Sequence, residues 1–135
     1  MNRNWKLLYM TNSQEVSNIY CQDTDDIVLI IFSERDTPPT HYVMLQQAMH
    51  PRQQDIKLGQ DKVYIEIDDQ LRSCYGGVKS VGASSSAVVI YTDDAAAKCL
   101  RISGEIHLDI AVATTGWLAM LDKICKKANI PLKLL

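Results

Sequence analysis

Lys62-Val-Tyr-Ile-Glu-Ile-Asp-Asp-Gln-Leu-Arg-Ser-Cys-Tyr-Gly-Gly77 is the stretch whose reading decides the fold. Val63, Ile65 and Ile67 alternate with Tyr64, Glu66 and Asp68, and successive side chains of a strand point to opposite faces. One face is therefore apolar, and the other is acidic and aromatic. This is the pattern of a half-buried sheet strand. It runs into Asp69-Gln70, crosses what reads as a short polar loop to Tyr75, and meets Gly76-Gly77, where backbone angles closed to other residues become available.

Outward toward the N-terminus, Ile27 to Phe32 is continuous, β-branched and bounded by acidic clusters, which fits a central strand buried on both faces. Pro38-Pro39 forces an extended turn. A strand beginning at His41 to Leu45 then pairs antiparallel with the preceding one. Trp5 to Met10 reads as a first strand. Thr11 to Tyr20 is divided between a strand and a short helix, because Thr11 and Gln14 can form a capping box and Val16, Ile19 and Tyr20 have helical spacing. Pro51 to Asp61 reads as a surface loop closing at Gly59.

Toward the C-terminus, Val78 to Val81 and Ala87 to Tyr91 flank a turn at Gly82 to Ser86, a hairpin signal. Asp93-Asp94 followed by three alanines predicts a brief helix. Glu105 to Val112 alternates again, with Ile106, Leu108, Ile110 and Val112 inward. The last element is a helix with Leu118, Leu121, Ile124, Cys125 and Ala128 on one face, capped by Thr114 or Thr115 and ended by Asn129 and Pro131. These readings predict an α+β fold: a mostly antiparallel sheet of about six strands with the C-terminal helix packed on one face. At 135 residues, residues 1–135 are expected to form a single domain.

A formal charge of −2 lacks the general basic character of a nucleic-acid binder and suits a cationic protein partner. Cys21, Cys74, Cys99 and Cys125 lie 53, 25 and 26 residues apart, with no C-x-x-C pair. They read as reduced, partly buried small hydrophobes of a cytosolic protein. The N-terminal basic cluster precedes no apolar region of signal-peptide length, and the longest apolar run cannot span a bilayer, so a cytoplasmic location is expected.

Glu66, Asp68 and Asp109 invite a catalytic reading, as ligands of a divalent cation or as divided acid and base. The same acids also fit a solvated strand end. His41, His50 and His107 have no ligand spacing, Cys74 has no adjacent base, and no G-x-S-x-G, Walker A or G-x-G-x-x-G motif is present. No catalytic residue, metal or cofactor is assigned. If Tyr64 shares its face with Glu66 and Asp68, the surface combines an aromatic anchor with a negative field, which suits capture of a basic protein.

At these residues the chain resembles a known family. Tyr64 to Val78, preceded by Met44 to Ala48 and by Gln54 to Gly59, is similar to the bacterial immunity proteins numbered ten among the immunity families of polymorphic toxins. The resemblance implies a small cytosolic α+β protein, without enzymatic activity, that protects its cell from a contact-delivered toxin. It implies as partner the C-terminal domain of a cognate toxin, expected to be a nuclease with a cationic cleft, bound one to one. No direct contact with nucleic acid or membrane is implied. The expected binding residues are Tyr64, Glu66, Asp68, Asp69, Gln70 and Tyr75. A small metal-dependent hydrolase and a structural assembly subunit stand as alternatives.

Overall fold

The computed structural model describes residues 12–34, 39 and 41–135. The strand expected at Trp5 to Met10, the Thr11 cap and Pro38 fall outside them. The described elements are β1 (Asn12–Val16), β2 (Asn18–Asp23), β3 (Ile27–Ser33), β4 (Tyr42–Ala48), α1 (Gln53–Lys57), β5 (Tyr64–Ile67), β6 (Asp69–Tyr75), β7 (Val78–Ala83), β8 (Ala87–Thr92), α2 (Asp94–Leu100), β9 (Glu105–Ile110), α3 (Trp117–Ala128) and β10 (Leu132–Leu134). The α+β class, the mostly antiparallel pairing and the C-terminal helix are as the sequence predicts.

The described strands number ten rather than about six, and they form two sheets of five. Strands β2 to β6 make an antiparallel meander in sequence order. The other sheet, ordered β1-β9-β8-β7-β10, is mixed, because β1 lies parallel to β9 and β10 parallel to β7. The chain passes between sheets at two places. Ser17 separates β1 from β2 and donates its N–H to Ser33 O at 3.0 Å. Gly76 and Gly77, at φ 80° and 87°, turn the chain from β6 into β7. At Gly77 a Cβ would lie 2.4 Å from that of Ala96, so helix α2 can pack against this turn only because the residue is glycine.

The helical spacing of Val16, Ile19 and Tyr20 is overridden by strand pairing. Val16 is fully buried in its pairing with β9, and Ile19 and Tyr20 pair with Phe32 and Ile31. The expected polar loop after Asp68 is strand β6, whose exposed, polar residues suit the edge of a sheet. The surface loop at Pro51 to Asp61 contains the short helix α1.

Both sheets contribute to one apolar cluster, which includes Ile30, Phe32, Leu45 and Ile65 from the antiparallel sheet and Ile90, Ile106 and Leu108 from the mixed sheet. Helix α3 covers β2, β3 and β4, burying Trp117, Leu121, Ile124 and Cys125. No threonine hydroxyl caps it. The carbonyls of Thr114 and Thr115 instead accept from Trp117 Nε1 and Leu118 N, both at 3.0 Å. Asn129 ends the helix in the left-handed region, as expected. Helix α2 is capped by the Asp93 side chain, which accepts from Ala96 N at 2.8 Å. Among the described residues no helix is long and apolar enough to cross a membrane.

Strand β3 departs from expectation in a way that positions the site. Val28, Ile30 and Phe32 are fully buried, but Leu29 and Ile31 on its other face stay partly exposed. The antiparallel sheet therefore has one face in the core and one face open, and the open face is itself partly apolar.

Candidate functional site: the open face of the antiparallel sheet

The register of the meander decides which side chains share the open face. One row runs Tyr20, Ile31, Met44, Glu66 and Ser73, and the next runs Gln22, Leu29, Gln46, Tyr64 and Tyr75. Tyr42 lies on the same face, two positions before Met44 on β4. Four tyrosines thus surround an apolar strip, with Tyr20 52 % and Tyr75 45 % exposed. Directly opposed and diagonal side chains on a sheet face lie close enough to act as one surface.

Glu66 sits among them at only 5 % exposure. Its two carboxylate oxygens accept from different phenols, Oε1 from Tyr64 and Oε2 from Tyr42, each at 2.5 Å. Burial pushes both phenols above the ordinary tyrosine range, and the hydrogen bond to Glu66 pushes them further. For Tyr42 the negative charges of Glu66, Asp69 and Asp68 add to the effect. Both hydroxyls therefore remain protonated donors at neutral pH. The arrangement fixes the two rings, and Tyr75 packs on Tyr64 at 5.0 Å between centroids with planes tilted by 53°. Aromatic side chains held in this way present contact area at little further entropy loss.

The remaining expected residues divide. Asp68 occupies the turn between β5 and β6 at φ 64°. Its Oδ1 accepts from Tyr42 N at 2.8 Å and Gln14 Nε2 at 3.3 Å, and its Oδ2 lies 3.3 Å from Arg72 Nη1 and 3.4 Å from His41 Nδ1. It is a structural junction joining β1, β4 and β6, and its carboxylate is not a free charge on the surface. Asp69 and Gln70 are exposed beyond it. Asp69 accepts from Leu71 N at 2.8 Å, and Leu71 stands 78 % exposed at the same end of the sheet.

Tyr20, Tyr42, Ile31, Met44 and Leu71 were not among the residues expected from the sequence. The signal for Ile31 was present, since an apolar run on a strand with one open face leaves alternate apolar residues outside the core. Asp109 is not brought to this site. It lies exposed on β9 in the mixed sheet, and among the described residues no group of three His, Cys, Asp or Glu side chains is placed to hold a metal ion. His107 lies against Glu105 at 2.8 Å on that strand. The four cysteines are free, two of them exposed, and burial pushes the Cys74 and Cys125 thiols up to about 11.

The architecture is an α+β module of two mostly antiparallel five-stranded sheets closed by a C-terminal helix, with an open, tyrosine-rich sheet face. A family model described as immunity protein 10 matches residues 14–116. That span covers most of the chain and contains β2 to β9 with the last three residues of β1, so the chain belongs to the immunity protein 10 family and is an immunity protein, whose partner is a cognate toxin. No curated protein matches the chain.

Proposed function

We propose that this chain neutralises its toxin without catalysis, by binding the toxin domain one to one and covering the active site or the substrate-binding face. The observation that carries this reading is the open face of the antiparallel sheet, where Tyr64 and Tyr75, with Tyr20 and Tyr42, ring a partly exposed apolar strip. Tyrosines clustered around apolar residues are typical of interface centres. Glu66 holds two of the rings in place, Asp68 fixes the turn that borders them, and Asp69 and Gln70 supply a polar rim. A nuclease toxin, with a cleft shaped for phosphate, fits a rim of this sign, and a cytoplasmic setting fits a protein that guards its own cell.

A neutralising complex must persist on dilution, which calls for a Kd of ~10⁻⁹ M or tighter and a total buried area of at least about 1,200 Å². The test uses the toxin domain encoded beside this chain. Cells expressing the domain alone are expected to stop growing, cells expressing both to grow, and the two proteins to purify as an equimolar complex. A domain that is harmless on its own, or that fails to co-purify, removes the reading.

The rim can be probed separately. Asp69→Lys is expected to slow association with the toxin domain by about tenfold at low salt, because rim charges act mainly on encounter rate. Stopped-flow kinetics at two salt concentrations checks this. Folding stability is expected to change by less than about 1 kcal/mol, since the carboxylate's described hydrogen bond is to an exposed N–H that water can serve. Unchanged association kinetics places the interface away from this end of the sheet.

A further inference from the structure

Glu66 poses an electrostatic problem that the described residues leave unsolved. It is a carboxylate at 5 % exposure, and none of the ion pairs among the described residues includes it. Two phenols donate to it, one per oxygen, whereas an ionised carboxylate offers about four lone-pair sites. Burying a charge without an opposite charge is costly, and the side chain lies on the open face, away from the core and helix α3.

We propose that the missing counter-charge is one arginine side chain of the toxin, whose guanidinium docks on the Glu66 carboxylate between the rings of Tyr42 and Tyr64. This inference rests on the toxin-binding reading above and names the chemistry at its centre. A guanidinium satisfies both requirements of the site. Its planar fork donates to the lone pairs that the phenols leave open, and its faces stack on tyrosine rings as a cation on a π system. A lysine ammonium matches the charge but lacks the plane. The exposed Asp69 carboxylate lies close enough to act electrostatically on the Tyr42 phenol, so the same corner attracts a cation during encounter. An arginine in the active-site cleft of a toxin that handles an anionic substrate is the group an inhibitor gains most by occupying.

The experiment is a double-mutant cycle between Glu66→Gln and Arg→Ala changes across the toxin domain's surface, read as Kd. Glu66→Gln keeps the side-chain shape and a phenol acceptor while deleting the charge. It is expected to weaken binding at least about 100-fold, with an unfolding midpoint of the free chain equal to or above that of the wild type. One toxin arginine is expected to show coupling of at least about 30-fold with Glu66, the others less than about threefold. Should Glu66→Gln lower the unfolding midpoint, Tyr64→Phe keeps the cycle informative: it frees one carboxylate lone pair, keeps the ring, and is expected to retain coupling to the same arginine. Tight binding by the wild type with no arginine coupled to Glu66 overturns the inference and leaves the toxin-binding reading intact. Coupling to a lysine overturns the guanidinium assignment. Failure of the wild type to bind the toxin domain removes the reading on which both rest.

Discussion

Trp117→Ala is expected to lower the unfolding free energy by about 3–5 kcal/mol, the range for removing a large aromatic from a packed core. Trp117 opens helix α3 at 3 % exposure. Its ring meets Phe32 edge to face, with centroids 5.8 Å apart and planes at 83°, and its Nε1 donates to Thr114 O at 3.0 Å. One side chain thus joins the helix to the central strand β3 and fixes the segment leading into the helix. Truncation leaves a cavity beside Phe32 that Leu121 and Ile124 cannot fill, because each is already fully buried in its own contacts. Denaturant unfolding measures the loss. Trp117→Phe keeps an edge-on ring but loses the indole N–H, and is expected to cost less than the alanine change. A loss below about 1 kcal/mol for Trp117→Ala would mean that α3 is not part of the cooperative core. The family match ends at residue 116, so this helix lies just past the matched span while covering the strands within it.

Asp68→Ala is expected to cost about 3 kcal/mol, although the residue sits at a turn. Its carboxylate accepts the Tyr42 N–H and the Gln14 amide and faces Arg72, whose Nε is held by Leu100 O at 2.8 Å. Removing it leaves several part-buried donors unserved, each worth about 1–3 kcal/mol when desolvated. Alanine also tolerates the φ of 64° at this position less well than aspartate does. Asp68→Asn keeps the backbone preference and one acceptor oxygen and is expected to lose less than half as much. Equal unfolding midpoints for wild type and Asp68→Ala would show that the junction among β1, β4 and β6 carries no stability. A charge reversal at Asp68 reports on folding as well as on binding, so Asp69 is the cleaner probe of the rim.

Much of the secondary structure was legible because it is local. The alternations at Val63 to Ile67 and Glu105 to Val112 and the amphipathic final helix follow from side-chain periodicity alone, as does the hairpin, although its turn is shorter than the Gly82 to Ser86 read from the sequence because Gly82 and Ala83 continue β7. Sheet membership was not legible. Alternation says which residues share a face of a strand but not which strand lies beside it, and β1 finds its parallel partner β9 across most of the chain. Edge strand β6 is too polar to signal a strand, and β10 is too short. For the site, Tyr64, Glu66 and Tyr75 could be placed on or beside one strand by period. Tyr42 reaches Glu66 only through the register that sets Met44 opposite Glu66, and Asp68 becomes a junction through contacts with residues 54 and 26 positions earlier. Long-range pairing, rather than local preference, turned an acidic strand face into a carboxylate enclosed by phenols.

On the proposed function, the open tyrosine face is what the toxin meets. The most direct test of this claim is the Kd of the toxin domain for Tyr20→Ala/Tyr75→Ala beside that for Leu58→Ala. All three residues are exposed, but Leu58 follows helix α1 and lies outside the face. The double variant is expected to bind at least about 100-fold more weakly, with Leu58→Ala within about threefold of wild type. Wild-type affinity in the double variant, with binding lost in Leu58→Ala, would contradict the claim.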